Sequence, residues 1–221
     1  MEGKGENLLF LHGYLSNKES FTRQIGYFSK YFKVIAPDMT GFGTNKMPYP
    51  YSLDDYAREI KLLLDRFDGK TNVVAHSFGA RVLFKLLPDE RVDKIVLTGA
   101  AGVTPKRGLI YRVRVLNYKI RKKLGLNVDG LGSSDYRSLD DVMKKSFVKI
   151  VNERLEDRIS QIKNDCLLLF GEFDRETPLY MAKKLNKLIV NSTLCVMEGA
   201  GHFAFADRPE TFNLIVREFL L

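Results

Sequence analysis

The sequence predicts an α/β fold of about six mainly parallel strands, with helices on both faces of the sheet. Three observations predict it. Short, almost wholly apolar runs recur along the chain and alternate with stretches of helical periodicity, the pattern of strands buried on both faces and joined by right-handed crossover helices. Candidate chemical groups fall directly after several of these runs, which in such a topology is one edge of the sheet. Finally, 221 residues with 45% hydrophobic and 28% charged side chains suit one domain with a full core.

Asn7 to Leu11 reads as the first strand and ends in His12-Gly13-Tyr14. Ser16 to Lys30 carries Phe21, Ile25 and Phe28 at helical spacing. Phe32 to Ala36 is the second strand, followed by the turn Pro37-Asp38-Met39-Thr40-Gly41-Phe42-Gly43 and a loop with Pro48 and Pro50. Ser52 N-caps a helix with acidic first-turn residues and an apolar stripe of Tyr56, Ile60, Leu63, Leu64 and Phe67, and Gly69 ends it. Val73 to His76 is a third strand, which stops at Ser77. A helix follows from Phe78 to about Leu87, before Pro88. Strands at Asp93 to Thr98, Cys166 to Phe170 and Thr193 to Met197 complete the sheet. A helix from Pro178 to about Ile189 joins the last two, and Pro209 opens a terminal helix with Phe212, Ile215, Val216, Phe219 and Leu220 on its apolar face.

This divides the chain into a core, 1–103 and 165–221, and an insertion, 104–164, expected to form a helical cap rather than an independent domain. The insertion shows no strand pattern. From Thr104 to Gly125, Leu109, Val113, Leu116, Ile120 and Leu124 form an amphipathic stripe. Around it sit Lys106, Arg107, Arg112, Arg114, Lys119, Arg121, Lys122 and Lys123 with no acid, so these eight charges equal the whole net charge of +8. One reading is a lid with a solvated top. The other is a field that steers anionic substrates or touches an acidic membrane surface.

Composition excludes some classes. No run approaches membrane-spanning length, and Met1 to Glu6 lacks the basic and apolar regions of a secretory signal, so a cytoplasmic protein is expected. Cys166 and Cys195 each lie in an apolar strand pattern, which favours buried free thiols over a disulfide. Neither a nucleic-acid partner nor a cofactor or metal is expected.

Ser77 is the candidate nucleophile. A serine at a sharp strand-to-helix turn is lifted out of the sheet toward base and substrate, and small neighbours, here Ala75 and Gly79, let strand and helix approach. Asp174 follows the fifth strand in Phe170-Gly171-Glu172-Phe173-Asp174. His202 lies in the glycine-rich loop Glu198-Gly199-Ala200-Gly201-His202 after the last strand. After the first strand, His12-Gly13-Tyr14 offers a backbone N–H that can join that of Phe78 in an oxyanion hole.

On these residues the chain resembles the α/β-hydrolase family, over everything except the cap. The matches are His12-Gly13, the turn Asp38 to Gly43, the elbow at Ser77, and Asp174 and His202 in the family's order of serine, acid and histidine. The resemblance implies that Ser77 is nucleophile, His202 general base and then acid, and Asp174 the group that orients His202. It implies an oxyanion hole made by the N–H groups of Tyr14 and Phe78. Tyr14, Phe78, Arg81 and Phe203 are expected to line the substrate pocket. The family's first two strands have no counterpart here, which leaves six.

Other motif residues carry plainer readings beside the chemical ones. His12 and His76 shape turns by hydrogen bonding, Asp38 caps backbone N–H groups, and Glu172 and Glu198 are solvated or structural. Arg81, four residues after Ser77, binds a substrate carboxylate or makes a salt bridge to its surroundings. The expected function is a serine hydrolase acting on a small ester or thioester acyl substrate through an acyl-enzyme. Its alternatives are a carbon–carbon bond hydrolase or lyase with the same triad, and a binding or receptor module with little turnover. A serine nucleophile argues against the epoxide hydrolase and dehalogenase branches.

Overall fold

The computed structural model describes residues 3–106, 121, 136 and 138–221. Six strands form one sheet in the order β2-β1-β3-β4-β5-β6, every neighbouring pair parallel. They are β1 (Asn7–Leu11), β2 (Lys33–Ile35), β3 (Thr71–His76), β4 (Val92–Thr98), β5 (Cys166–Gly171) and β6 (Ser192–Met197). The chain steps from β1 outward to β2 and then returns to the other side of β1 for β3. The strand order therefore reverses between β1 and β3, and in open α/β sheets a crevice forms outside the carboxyl ends at such a point.

Period-two alternation sorts each strand's side chains to opposite faces. Leu9, Leu11, Val73, Ala75, Ile95, Leu97, Leu168 and Phe170 join one buried cluster, against α2 (Leu53–Leu64), α3 (Phe78–Leu86) and α6 (Leu179–Leu188). Leu8, Phe10, Val74, Val96, Leu167 and Leu169 join the other, against α1 (Thr22–Phe28) and α8 (Pro209–Leu220). Both faces being covered is why the strands read as continuous apolar runs.

Helix starts follow local chemistry. Ser52 caps α2 in a full capping box with Asp55, and Pro209 occupies the first turn of α8. The single helix expected over Ser16 to Lys30 divides into a 3-10 turn, Lys18–Phe21, and α1. Asn17 caps the turn by accepting the Glu19 N–H at 2.9 Å, while the Lys18 N–H goes to Asp38. A short helix not read from the sequence, α7 (Ala204–Asp207), follows His202 and buries Ala204 and Phe205.

The basic helix expected over 104–125 lies outside the described residues apart from 104–106 and 121. The later part of that insertion forms α4 (Asp141–Asn152) and α5 (Glu156–Ile159), whose Met143, Ile150 and Ile159 pack into the first cluster. Among the described residues no helix is long and apolar enough to cross a membrane. Both cysteines are free.

Candidate active site

Ser77 ends β3 and precedes α3 with φ 49° and ψ −108°, a left-handed backbone that a non-glycine residue rarely holds. Its neighbours hold it there. The Ser77 N–H donates to the Thr98 carbonyl at 3.2 Å, and the Ser77 carbonyl accepts from the N–H groups of Ala80 and Ala101. Gly79 lets the helix close on β1, because a Cβ there would lie 2.4 Å from the Leu11 carbonyl oxygen. Phe78 is the first residue of α3, so its N–H is among the donors that no helical carbonyl satisfies.

Asp174 and His202, far apart in sequence, meet over the ends of β5 and β6. His202 Nδ1 lies 2.9 Å from Asp174 Oδ2, and since a carboxylate only accepts, that nitrogen carries the proton. Asp174 also accepts from the N–H groups of Glu176 and Thr177 at 2.9 and 2.8 Å and from the Thr177 hydroxyl at 2.7 Å. Burial alone would raise the Asp174 carboxyl, but the bonds from His202 and Thr177 outweigh it and hold the group below its ordinary range. Thr177 is a member of this cluster that the sequence reading missed. Its only signal was a threonine three residues after a turn aspartate, where an Asx-type turn places it on the carboxylate.

His202 sits on Gly99, at the end of β4 beside the Thr98 carbonyl that holds Ser77. A Cβ on Gly99 would come 2.9 Å from the His202 carbonyl oxygen and 3.0 Å from Nδ1, and Gly99 has φ 51°. Thus the elbow and the imidazole abut the same strand end. His76 packs against His202, its ring centroid 4.7 Å from that of His202 and 5.0 Å from that of Phe203. His76 Nδ1 bonds the Thr98 carbonyl at 3.0 Å, while Nε2 is buried with no hydrogen-bond partner among the described residues. Burial, with the charge of His202 second, pushes its imidazole down to about 3, so it is neutral at physiological pH.

His12 holds the first loop in place. Its Nδ1 pairs with the Gly13 carbonyl at 2.8 Å and its Nε2 accepts the Met39 N–H at 3.1 Å, joining the turns after β1 and β2. Burial lowers its imidazole as well. Asp38 accepts the Lys18 N–H at 2.8 Å and pairs with its ammonium at 2.7 Å, and Glu172 accepts the Gly199 N–H, so both serve loop structure.

Of the expected pocket residues, Phe78 is buried and stacks edge-on with Tyr14 and Tyr56. Tyr14 is half-buried, meets Phe42 and Phe147 edge-on, and donates to the Met143 carbonyl at 3.4 Å, which brings α4 over this side of the sheet edge. Phe203 is exposed beside His76 and His202. Arg81 does not make the salt bridge that was one of its two readings. Its Nη2 donates to the carbonyls of Ile150 and Glu153 at 2.6 and 2.7 Å, at the C-terminal end of α4, so its partners are main-chain carbonyls rather than a carboxylate. Among the described residues no cluster of three or more His, Cys, Asp or Glu is arranged to hold a metal ion.

The model of the alpha/beta hydrolase family matches residues 8–213. The chain belongs to that family. Among its relatives, the 2-hydroxy-6-oxo-6-(2'-aminophenyl)hexa-2,4-dienoic acid hydrolase of Metapseudomonas resinovorans is 26% identical, over 99% of this chain and 85% of that protein. The pimeloyl-[acyl-carrier protein] methyl ester esterase of Photobacterium profundum is 23% identical, over 99% of this chain and 96% of its own length. A solved serine hydrolase involved in carbazole degradation superposes with a TM-score of 0.77 at 25% identity, covering 99% of this chain and 92% of that one. The relatives of this α/β hydrolase thus include both a methyl ester esterase and a dienoic acid hydrolase.

Proposed function

We propose that this α/β hydrolase is a serine hydrolase that cleaves a small carboxylic ester or thioester through an acyl-enzyme. The observation that carries the reading is the buried His202–Asp174 pair seated on the same strand end that holds Ser77 in its strained conformation. With Nδ1 protonated toward Asp174, neutral His202 presents Nε2 as an acceptor for the Ser77 proton. Ser77 Oγ attacks the acyl carbon, and the oxyanion of the tetrahedral intermediate is stabilised by the N–H groups of Phe78 and Tyr14. His202 then gives its proton to the leaving oxygen or sulfur as the bond breaks. A water activated by the same histidine hydrolyses the acyl-Ser77 ester and regenerates the serine.

A second reading, hydrolysis of a carbon–carbon bond beside a carbonyl, is favoured by the dienoic acid hydrolase among the relatives. It uses the same residues, with proton transfer to carbon. One experiment addresses the machinery and the class together. A fluorophosphonate should phosphonylate Ser77, and His202→Ala should abolish labelling, because the hydroxyl is a weak nucleophile until a base takes its proton. Labelling that persists in Ser77→Ala would remove Ser77 from the mechanism. A panel of esters, thioesters and dicarbonyl compounds, run with the wild type and Ser77→Ala, then separates ester from carbon–carbon cleavage.

A further inference from the structure

Two carboxylates bracket the His202 ring. Asp174 takes Nδ1, and Oε2 of the exposed Glu176 lies 3.3 Å from Nε2. Both come from one turn. The Glu176 N–H donates to Asp174 Oδ1, so the bond that seats Asp174 also fixes the backbone from which Glu176 reaches the far side of the ring. Two other acids of this edge hold main-chain groups, Glu172 the Gly199 N–H and Asp207 the Gly201 N–H.

Neutral His202 offers Nε2 as a lone pair, which a carboxylate cannot bond. The contact with Glu176 becomes attractive only when Nε2 is protonated, the state in which a histidine hands its proton to a departing group. A leaving group must approach Nε2 to receive that proton, and so passes beside the Glu176 carboxylate.

We propose that Glu176 is a charge filter on the leaving-group side of the site, which takes acyl compounds with a neutral or cationic leaving group and discriminates against leaving groups that carry a carboxylate. This rests on the hydrolytic reading of Ser77 and His202. It concerns the departing half of the substrate and places no demand on the acyl half. The Glu176 side chain is 65% exposed, so its field is weakened by water and salt, and the discrimination between unit charges of opposite sign is roughly threefold to tenfold.

The test uses three acetate esters that form the same acetyl-enzyme and differ in the departing phenol: phenyl acetate, 4-acetoxybenzoate and 3-acetoxy-N,N,N-trimethylanilinium. kcat/KM is measured for the wild type, Glu176→Gln and Ser77→Ala. Intrinsic leaving-group reactivity cancels when the cationic-to-anionic ratio of the wild type is divided by that of Glu176→Gln. That quotient should be about threefold or more at low salt and fall toward one in 0.5 M salt. A quotient of one at low salt, with Ser77→Ala inactive, overturns the charge filter and leaves the hydrolase intact. Equal rates in Ser77→Ala and the wild type overturn the hydrolytic reading instead. Should the esters not be turned over, phosphonates with the same three phenols report the same quotient as Ser77 phosphonylation rates by mass spectrometry, and an unmodified Ser77 overturns both.

Discussion

At the scale of single residues, the site depends on how many donors converge on Asp174. Its carboxylate is buried, and a buried charge is tolerated only when hydrogen bonds replace the water it has lost. The Thr177 hydroxyl is one such donor, and it lies 3.4 Å from His202 Nδ1 as well. Thr177→Val keeps the volume and removes that donor. A hydrogen bond to a charged group contributes about 1.5–3 kcal/mol, so turnover should fall about tenfold or more while the fold persists. The variant also has a pH signature. Because the folded Asp174 carboxyl lies below its ordinary range, its contribution to stability is present above the unfolded value and lost as pH falls through the folded one. Removing a donor raises the folded value, so Thr177→Val should acid-unfold at a higher pH than the wild type. Coincident acid midpoints by circular dichroism would show that the hydroxyl does not support the carboxylate.

Between elements, the less predictable partnership is that of α3 with α4. The last carbonyls of any helix lack helical donors, and for α4 the donor comes from a side chain about seventy positions earlier. Arg81 lies within α3, and burial, opposed by Glu153 and Glu156, brings its guanidinium down to about 10, still charged at neutral pH. Lys85, one turn later, pairs with Glu153 at 2.6 Å and Asp54 at 3.0 Å, fastening the same helix end to α2. Arg81→Met would leave the Ile150 and Glu153 carbonyls without this donor. The Ile150 carbonyl keeps the Glu153 N–H at 3.4 Å, so one carbonyl loses its donor and, at about 1–3 kcal/mol for an unsatisfied buried group, the variant should lose roughly 1–3 kcal/mol of stability in urea unfolding. If Arg81 instead bound a substrate carboxylate, Arg81→Met would leave stability unchanged and raise KM selectively for anionic acyl esters. The two outcomes distinguish a helix clamp from a substrate ligand.

For the whole molecule, His76 links the site to stability. It lies at the carboxyl end of the sheet on the face of Val74, against Phe203, Phe205 and His202, and is held neutral there. A histidine whose folded value is depressed to about 3 binds fewer protons in the folded than in the unfolded chain between that value and about 6.5. Its contribution is therefore full above about pH 6.5 and declines as pH falls toward 3. The slope from one such group reaches about 1.4 kcal/mol per pH unit. His76→Leu leaves the Thr98 carbonyl still bonded to the Ser77 N–H, so the protein should fold, and its stability should decline less steeply between pH 6.5 and 4. An unchanged slope in denaturant titrations across that range would show that His76 carries no such linkage.

The sequence by itself determined the alternation of strands and helices, the two faces of each strand and the seats of Ser77, Asp174 and His202 at the ends of β3, β5 and β6. Each of these depends on signals spanning a few residues: a period of two or near 3.6, a cap such as Ser52, or a small residue where two backbones close. Its errors were local as well. A 3-10 turn replaced the start of α1 because Asn17 and Asp38 took the first N–H groups, and α7 is too short for its periodicity to register. The tertiary structure alone decided that Asp174 bonds His202, that Glu176 faces the other nitrogen, that Arg81 serves carbonyls of α4, and that His76 is buried neutral against two phenylalanines and a second histidine. These are distances between groups brought together by parallel register and crossover connections, and no local pattern in the chain encodes a distance across a sheet.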